Sequence, residues 1–238
     1  MRITRLTSET AAFVLTPESV RRIYEGLAAL LGAVSVTVAC ADKLNRSFDS
    51  VDELEAFGNP RRSAIEELTL SARDESYKNR FSLTLNAEQR RNVRLSIDAE
   101  ELVALRLNEL CGDVLDAARP WYSWIARMDW YLLVIGGWMA AQLGSLAIFL
   151  IKHGGTPLAF SSAGLTVGGA VRSFAIGFLP MLVGIALNIA RNRAFPAGSF
   201  AFGDGAARHS NAEVTRTVVI VAFAVSIVSS VVASWFLG

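Results

Sequence analysis

Four carboxylates, Asp49, Asp52, Glu53 and Glu55, fall within a seven-residue stretch. Paired acids of this kind could share general acid–base work. Their setting points to a structural role instead. Ser50-Val51-Asp52-Glu53 has the spacing of a capping box, and acids in a helix's first turn offset its dipole. The two histidines, His153 and His209, do not stand in a set of Cys, Asp or Glu at metal-ligand spacing. Cys40 and Cys111 are the only cysteines; they lie on an apolar strand face and an apolar helix stripe, where free thiols are buried. Without a CxxC spacing they make neither a metal site nor a disulfide framework. Gly203-Asp204-Gly205 lacks both the preceding strand and the third glycine of a dinucleotide site. No phosphate-loop pattern and no Gly-x-Ser-x-Gly elbow occurs. The sequence therefore implies no catalytic residue, no metal and no cofactor, and the chain reads as something other than an enzyme.

The elements that carry these residues divide the chain in two. Residues 1–128 hold 17 Lys/Arg and 19 Asp/Glu, whereas residues 129–238 hold 6 and 3. The first part is charged at ordinary globular density and the second is nearly charge-free. The overall net charge of +1 argues against nucleic acid as a partner, since that needs a clustered basic surface. The densest basic stretch, Arg90, Arg91 and Arg94, is flanked by Glu88 and Asp98 and reads as a solvated turn and strand face.

Residues 1–120 predict an α+β domain with a mostly antiparallel sheet and about three helices. Thr16-Pro17 opens a helix with Val20, Ile23, Tyr24, Leu27, Leu30 and Leu31 on one face, and Gly32 ends it. Residues 33–41 alternate as a half-buried strand. That alternation rejects a reading of Arg21-Arg22, the apolar 27–39 stretch and Cys40 as a lipidated signal sequence. A polar turn at 42–46 and the capped short helix, with Leu54 and Phe57 inward, come next; Gly58-Asn59-Pro60 stops that helix. Strands follow near 65–73, 79–86 and 91–98, the last two joined as a hairpin by the 86–90 turn. A final helix places Val103, Leu107, Leu110 and Val114 inward and stops before Pro120. It is expected to run straight toward the membrane and to couple sheet movements to the first span.

Residues 130–238 predict an α-helical transmembrane region of about three spans, near 130–151, 173–190 and 218–237. The first, 22 residues long, reaches about 33 Å, enough for a hydrocarbon core. The second carries Pro180 and Asn188, which are tolerated where neighbours re-satisfy the backbone. Residues 154–171 have no charge and five glycines; they read as a loop, a re-entrant hairpin or part of a kinked helix. No charged side chain lies inside the three spans, which argues against a proton-coupled pump. Asn188, Ser226, Ser229 and Ser230 read as interhelical hydrogen-bonding groups. Trp121, Tyr122, Trp124, Trp130 and Tyr131 form an aromatic collar over a juxtamembrane linker at 121–129, and Trp235 marks the far end, as expected for membrane-interface residues. Gly136, Ala140 and Gly144, with Gly137, Ala141 and Ser145, form small-residue stripes that suit helix packing, within one chain or in a homo-oligomer. Lys/Arg placement around the spans puts the N-terminal domain in the cytoplasm and the C-terminus outside a cell membrane.

The glycine- and phenylalanine-rich loop at 195–203 could fold back onto the domain or lie in the interface. The leading functional reading is a membrane-anchored sensor, adaptor or effector whose cytoplasmic domain binds a protein or small ligand. The alternative is a small oligomeric channel or membrane-perturbing effector.

Overall fold

The computed structural model describes residues 1–87, 92–152 and 167–237. The chain opens with strand β1 (Arg2–Glu9), a three-residue strand β2 (Phe13–Leu15) and helix α1 (Pro17–Leu31). The Thr16 hydroxyl accepts from the Ser19 amide and so satisfies one of the free donors at the start of α1. Gly32, with φ +88°, ends that helix in a conformation that other residues avoid. Strands β3 (Ala33–Cys40) and β4 (Asn45–Phe48), helix α2 (Val51–Ala56), a 3-10 turn at Arg61–Ser63, and strands β5 (Ile65–Arg73), β6 (Arg80–Asn86) and β7 (Val93–Glu100) follow. Helix α3 (Glu101–Ala117) and short helix α4 (Ser123–Arg127) complete this part.

Six strands form one antiparallel sheet in the order β1-β7-β6-β5-β3-β4. The alternating pattern sends Val36, Val38, Leu68, Leu70, Leu83, Leu85, Leu95 and Ile97 to one face, where all are buried. Val20, Ile23 and Leu27 of α1 and Leu107, Cys111 and Val114 of α3 bury in the same core. At about 1.5–3 kcal/mol for each large apolar side chain, this shared core is the domain's main stabilising term. A Cβ on Gly26 would sit 2.4 Å from the Leu110 side chain, so α1 and α3 approach closely there. The α+β domain and its mostly antiparallel sheet are thus present. The expected 42–46 turn gives way to β4, because the Asp42 carboxylate accepts from the Leu44 amide and grips Arg46, closing a tighter turn. Glu88, Arg90 and Arg91, and most of the expected 86–90 turn, lie outside the described residues.

Helix α5 (Trp130–Lys152), helix α6 (Val167–Ala194), strand β8 (Gly198–Phe200) and helix α7 (Asp204–Leu237) complete the chain. Among the described residues one helix, α5, is long and apolar enough to cross a membrane. The expected 173–190 run lies inside the longer α6, with Pro180 in its interior. The expected 218–237 run is the C-terminal part of α7, which begins 14 residues earlier. Residues 153–166, with His153 and most of the 154–171 segment, lie outside the described residues, as does the Trp235 side chain.

Two compact units result. One comprises residues 1–127 together with 194–238, and the other residues 128–193. The first is discontinuous in sequence: β8, from beyond α6, pairs in parallel with β2, Phe13 with Gly198 and Leu15 with Phe200.

Candidate functional site

Two features of the sheet unit have the geometry of functional sites: the docking of the returning segment at 194–217, and the uncovered face of the sheet.

The returning segment is built into the domain core. Phe200 and Phe202 are buried, and Phe200 packs edge-on against Phe13 at 5.8 Å. Two buried asparagines hold the segment's backbone. Asn59 donates to the Phe200 carbonyl at 3.0 Å and accepts from the Ile65 amide at 2.9 Å. Asn92 accepts from the Ala11 amide and donates to the Ala11 and Ala197 carbonyls. Each side-chain amide replaces backbone partners that a regular sheet would supply. The contact is close enough to demand glycine. A Cβ on Gly203 (φ +43°) would lie 2.4 Å from the Gly58 carbonyl oxygen, and one on Gly205 would lie 2.3 Å from the Phe200 carbonyl oxygen. The Asp204 amide donates to Gly58 at 2.9 Å, and Arg208 donates to the Asn59 carbonyl at 2.9 Å. Gly203-Asp204-Gly205 is therefore a backbone-docking element. Of the two placements open to the 195–203 loop, the structure shows the fold-back onto the domain.

Helix α7 leaves this dock without a break. In its fourth turn Arg216, 5 % exposed, donates to the Ala194 carbonyl and lies over the Tyr122 ring at 4.6 Å. Tyr122 also packs against Phe195 at 5.6 Å. Burial raises the Tyr122 hydroxyl above the usual phenol range, with Arg216 opposing. Tyr122, expected in the aromatic collar, is buried, and its ring is the platform for a buried guanidinium. Trp121 and Trp124 are exposed and Trp130 and Tyr131 half-buried. His209 lies 3.4 Å from the Ser199 hydroxyl and 3.6 Å from Glu213. Burial first, then Arg216, holds its ring below the ordinary imidazole value.

A correction concerns α3. It does not continue as one helix through residues 121–129. It ends at Ala118, whose carbonyl accepts from Val14, and Pro120 follows. Proline lacks the donor a helix interior needs and disfavours helical geometry at Arg119. The uninterrupted helix out of the domain is α7.

The uncovered face carries rows of hydroxyls. Strand register aligns Ser35, Ser71, Ser82 and Ser96 across β3, β5, β6 and β7. A parallel row runs Ser47, Thr37, Thr69, Thr84. Ser35 and Ser71 share a 2.8 Å hydrogen bond. Two residues along β5 and β6 from Ser71 and Ser82, Arg73 and Arg80 stand directly opposite each other, beside the middle of the serine row. With Tyr77 these residues line a groove of about 750 Å³.

The residues singled out by chemistry in the sequence are committed elsewhere. Arg21 pairs with Asp52 at 2.7 Å and Glu55 at 2.9 Å, and Glu53 accepts from the Asp49 amide at 3.0 Å. The Ser50 hydroxyl accepts from the Glu53 amide. Cys40 and Cys111 are buried free thiols, and burial pushes Cys111 up to about 12. Among the described residues no group of three or more His, Cys, Asp or Glu could hold a metal ion.

In the helical unit, Asp129 accepts from the Tyr131 amide at the start of α5, and Asn188 of α6 donates to the same carboxylate at 3.3 Å. A Cβ on Gly184 would meet Tyr131 at 3.2 Å, so the two helices touch there. Ala140, Ala141 and Ser145 are exposed, and nothing lies within 4 Å of a Cβ on Gly136, Gly137 or Gly144. Comparison with protein-family models, with curated proteins and with solved structures finds no match.

Proposed function

We propose that the protein is a membrane-anchored sensor or adaptor: the sheet domain binds a ligand or protein on its uncovered face, and α7 carries the state of the domain into the bilayer. The observation that supports this reading is the docking of β8 against β2, from which α7 continues for 34 residues, about 51 Å. A change in the sheet reaches the last span through a helix, with no flexible linker between.

The same pairing constrains the path through a membrane. β2 and β8 share a sheet, so the chain between them starts and ends on one side. That requires an even number of crossings between residues 128 and 193, and we assign them to α5 and α6. A further full crossing at 154–171 would put β8 across the bilayer from β2. The C-terminal part of α7 then crosses once more. Arg191, Arg193, Arg208 and Arg216 fall on the domain's side, which assigns that side to the cytoplasm.

Single cysteines introduced as Glu75→Cys, Ala207→Cys and Lys152→Cys test this in sealed vesicles with a membrane-impermeant thiol reagent. The native thiols are buried and stay unlabelled. Positions 75 and 207 should label from the cytoplasmic face and position 152 from the other. Labelling of 75 and 207 from opposite faces, or release of the protein from membranes by alkaline wash, would sink the reading.

One observation favours a second reading, an oligomeric channel. The small-residue stripe on α5 has no neighbour within 4 Å at its glycines among the described residues, and close helix approach in an assembly would cover it. A monomer in mild detergent that leaves liposomes tight would remove it.

A further inference from the structure

Arg73 of β5 and Arg80 of β6 are a directly opposed cross-strand pair. Like charges in that position destabilise a sheet. The neighbouring acid relieves the conflict only in part: Asp98, in register with Arg80, attracts it electrostatically, but its carboxylate oxygens already accept from Arg2 at 2.8 and 2.7 Å and from Thr4 at 3.2 Å. The other nearby acid, Asp74, is spent inside the β5–β6 turn, where it accepts from Ser76, from the Lys78 amide and from Asn79. Among the described residues, the charged side chains that line the groove are two cations, Arg73 and Arg80.

The rest of the groove suits a polar anion. Asp74 holds the turn that presents Tyr77 in a left-handed conformation, φ +56°, and the Arg73 guanidinium lies 5.1 Å from the Tyr77 ring centre. A guanidinium braced on an aromatic face loses less freedom when it binds, and its fork matches phosphate oxygens. Beside the arginines, the parallel row Ser35, Ser71, Ser82 and Ser96 crosses the strands, with Ser71 bonded to Ser35. Hydroxyls can donate or accept, so this row suits a ligand that carries hydroxyls of its own.

The geometry points to a phosphate-binding site: Arg73 and Arg80 hold a phosphate monoester, and the serine row takes the polyol that bears it. This deepens the reading of the uncovered face as the domain's binding face, and rests on it. The same chemistry occurs in a soluble phosphorylated polyol and in a lipid headgroup.

The test uses the full chain in detergent micelles and in nanodiscs. Calorimetric titration with inorganic phosphate and with glycerol 3-phosphate should show binding, tighter for glycerol 3-phosphate, and chloride should show none. Arg73→Gln and Arg80→Gln should each weaken binding about ten-fold, the scale of a lost charge-assisted hydrogen bond. Arg62→Gln, outside the groove, should leave it unchanged. Both groove arginines are exposed, so these variants keep the fold, which circular dichroism checks. Nanodiscs with phosphatidic acid, compared with phosphatidylcholine alone, separate the sources. If phosphatidic acid competes with glycerol 3-phosphate the source is the lipid; if it does not, the source is soluble. Absence of binding to both phosphates, or affinity equal in Arg73→Gln, Arg80→Gln and the parent, would overturn the inference. Correct vesicle labelling alongside absent phosphate binding would overturn this inference alone. Labelling of positions 75 and 207 from opposite faces would overturn the anchoring function alone.

Discussion

The chain leaves the sheet domain by one route and returns to it by another, and the two differ in kind. The outgoing route, 118–130, is a proline break and a five-residue helix. Trp121 and Trp124 stay exposed along it, while Ala118 and Tyr122 are buried. The returning route, 194–217, contributes a strand, two buried phenylalanines and the partners of two buried asparagines. It then proceeds as one helix. Continuity in sequence therefore does not identify the tighter attachment. The domain grips the chain where it comes back.

The largest expected effect comes from removing the return. A 1–127 fragment loses β8, Phe200 and Phe202. Two buried aromatics contribute about 2–3 kcal/mol each, and β2 loses its partner strand β8, in a domain class stable by about 5–15 kcal/mol. The fragment should fail to give a cooperative urea transition. The same residues joined by a Gly/Ser linker to 194–217 should give one. A cooperative 1–127 fragment would show that the return is decoration.

Gly203→Val comes next. It puts a branched side chain against the Gly58 backbone at a positive φ, and should cost about 3 kcal/mol in the spliced domain. Asn59→Ala should cost about 2 kcal/mol, since the Ile65 amide and Phe200 carbonyl both lose partners in a buried place. A chemical melt reads both; no change in either would mean that the dock is loose.

The smallest effect tests pH. The folded His209 titrates below its unfolded value near 6.5. The unfolded chain therefore binds the proton more readily, and the contribution is present above about pH 6.5 and lost as pH falls through the folded value. The melting temperature should drop across that window, and His209→Gln should flatten the drop. A rise on acidification would show that Glu213 outweighs burial.

Much of this architecture was legible locally. The 15-residue α1 and its Thr16 cap, the alternation of β3, β5, β6 and β7, and the Ser50 cap all follow from nearest neighbours in sequence. So did the burial of Cys40 and Cys111. The weak points share one cause. The burial of Tyr122 was not legible because nothing within a few residues announces Arg216, 94 positions away. The Arg73–Arg80 pair depends on hairpin register, and the six-residue span between the two gives no sign of a groove.

The sequence by itself determined most of the sheet domain's strands and helices, and that α5 is apolar enough to cross a membrane, because periodicity, capping and hydropathy act over a few residues. Only the tertiary structure decided that β8 belongs beside β2. That pairing joins residues 185 positions apart. It depends on backbone groups, two asparagines and two glycines whose complementarity exists only once the strands are side by side.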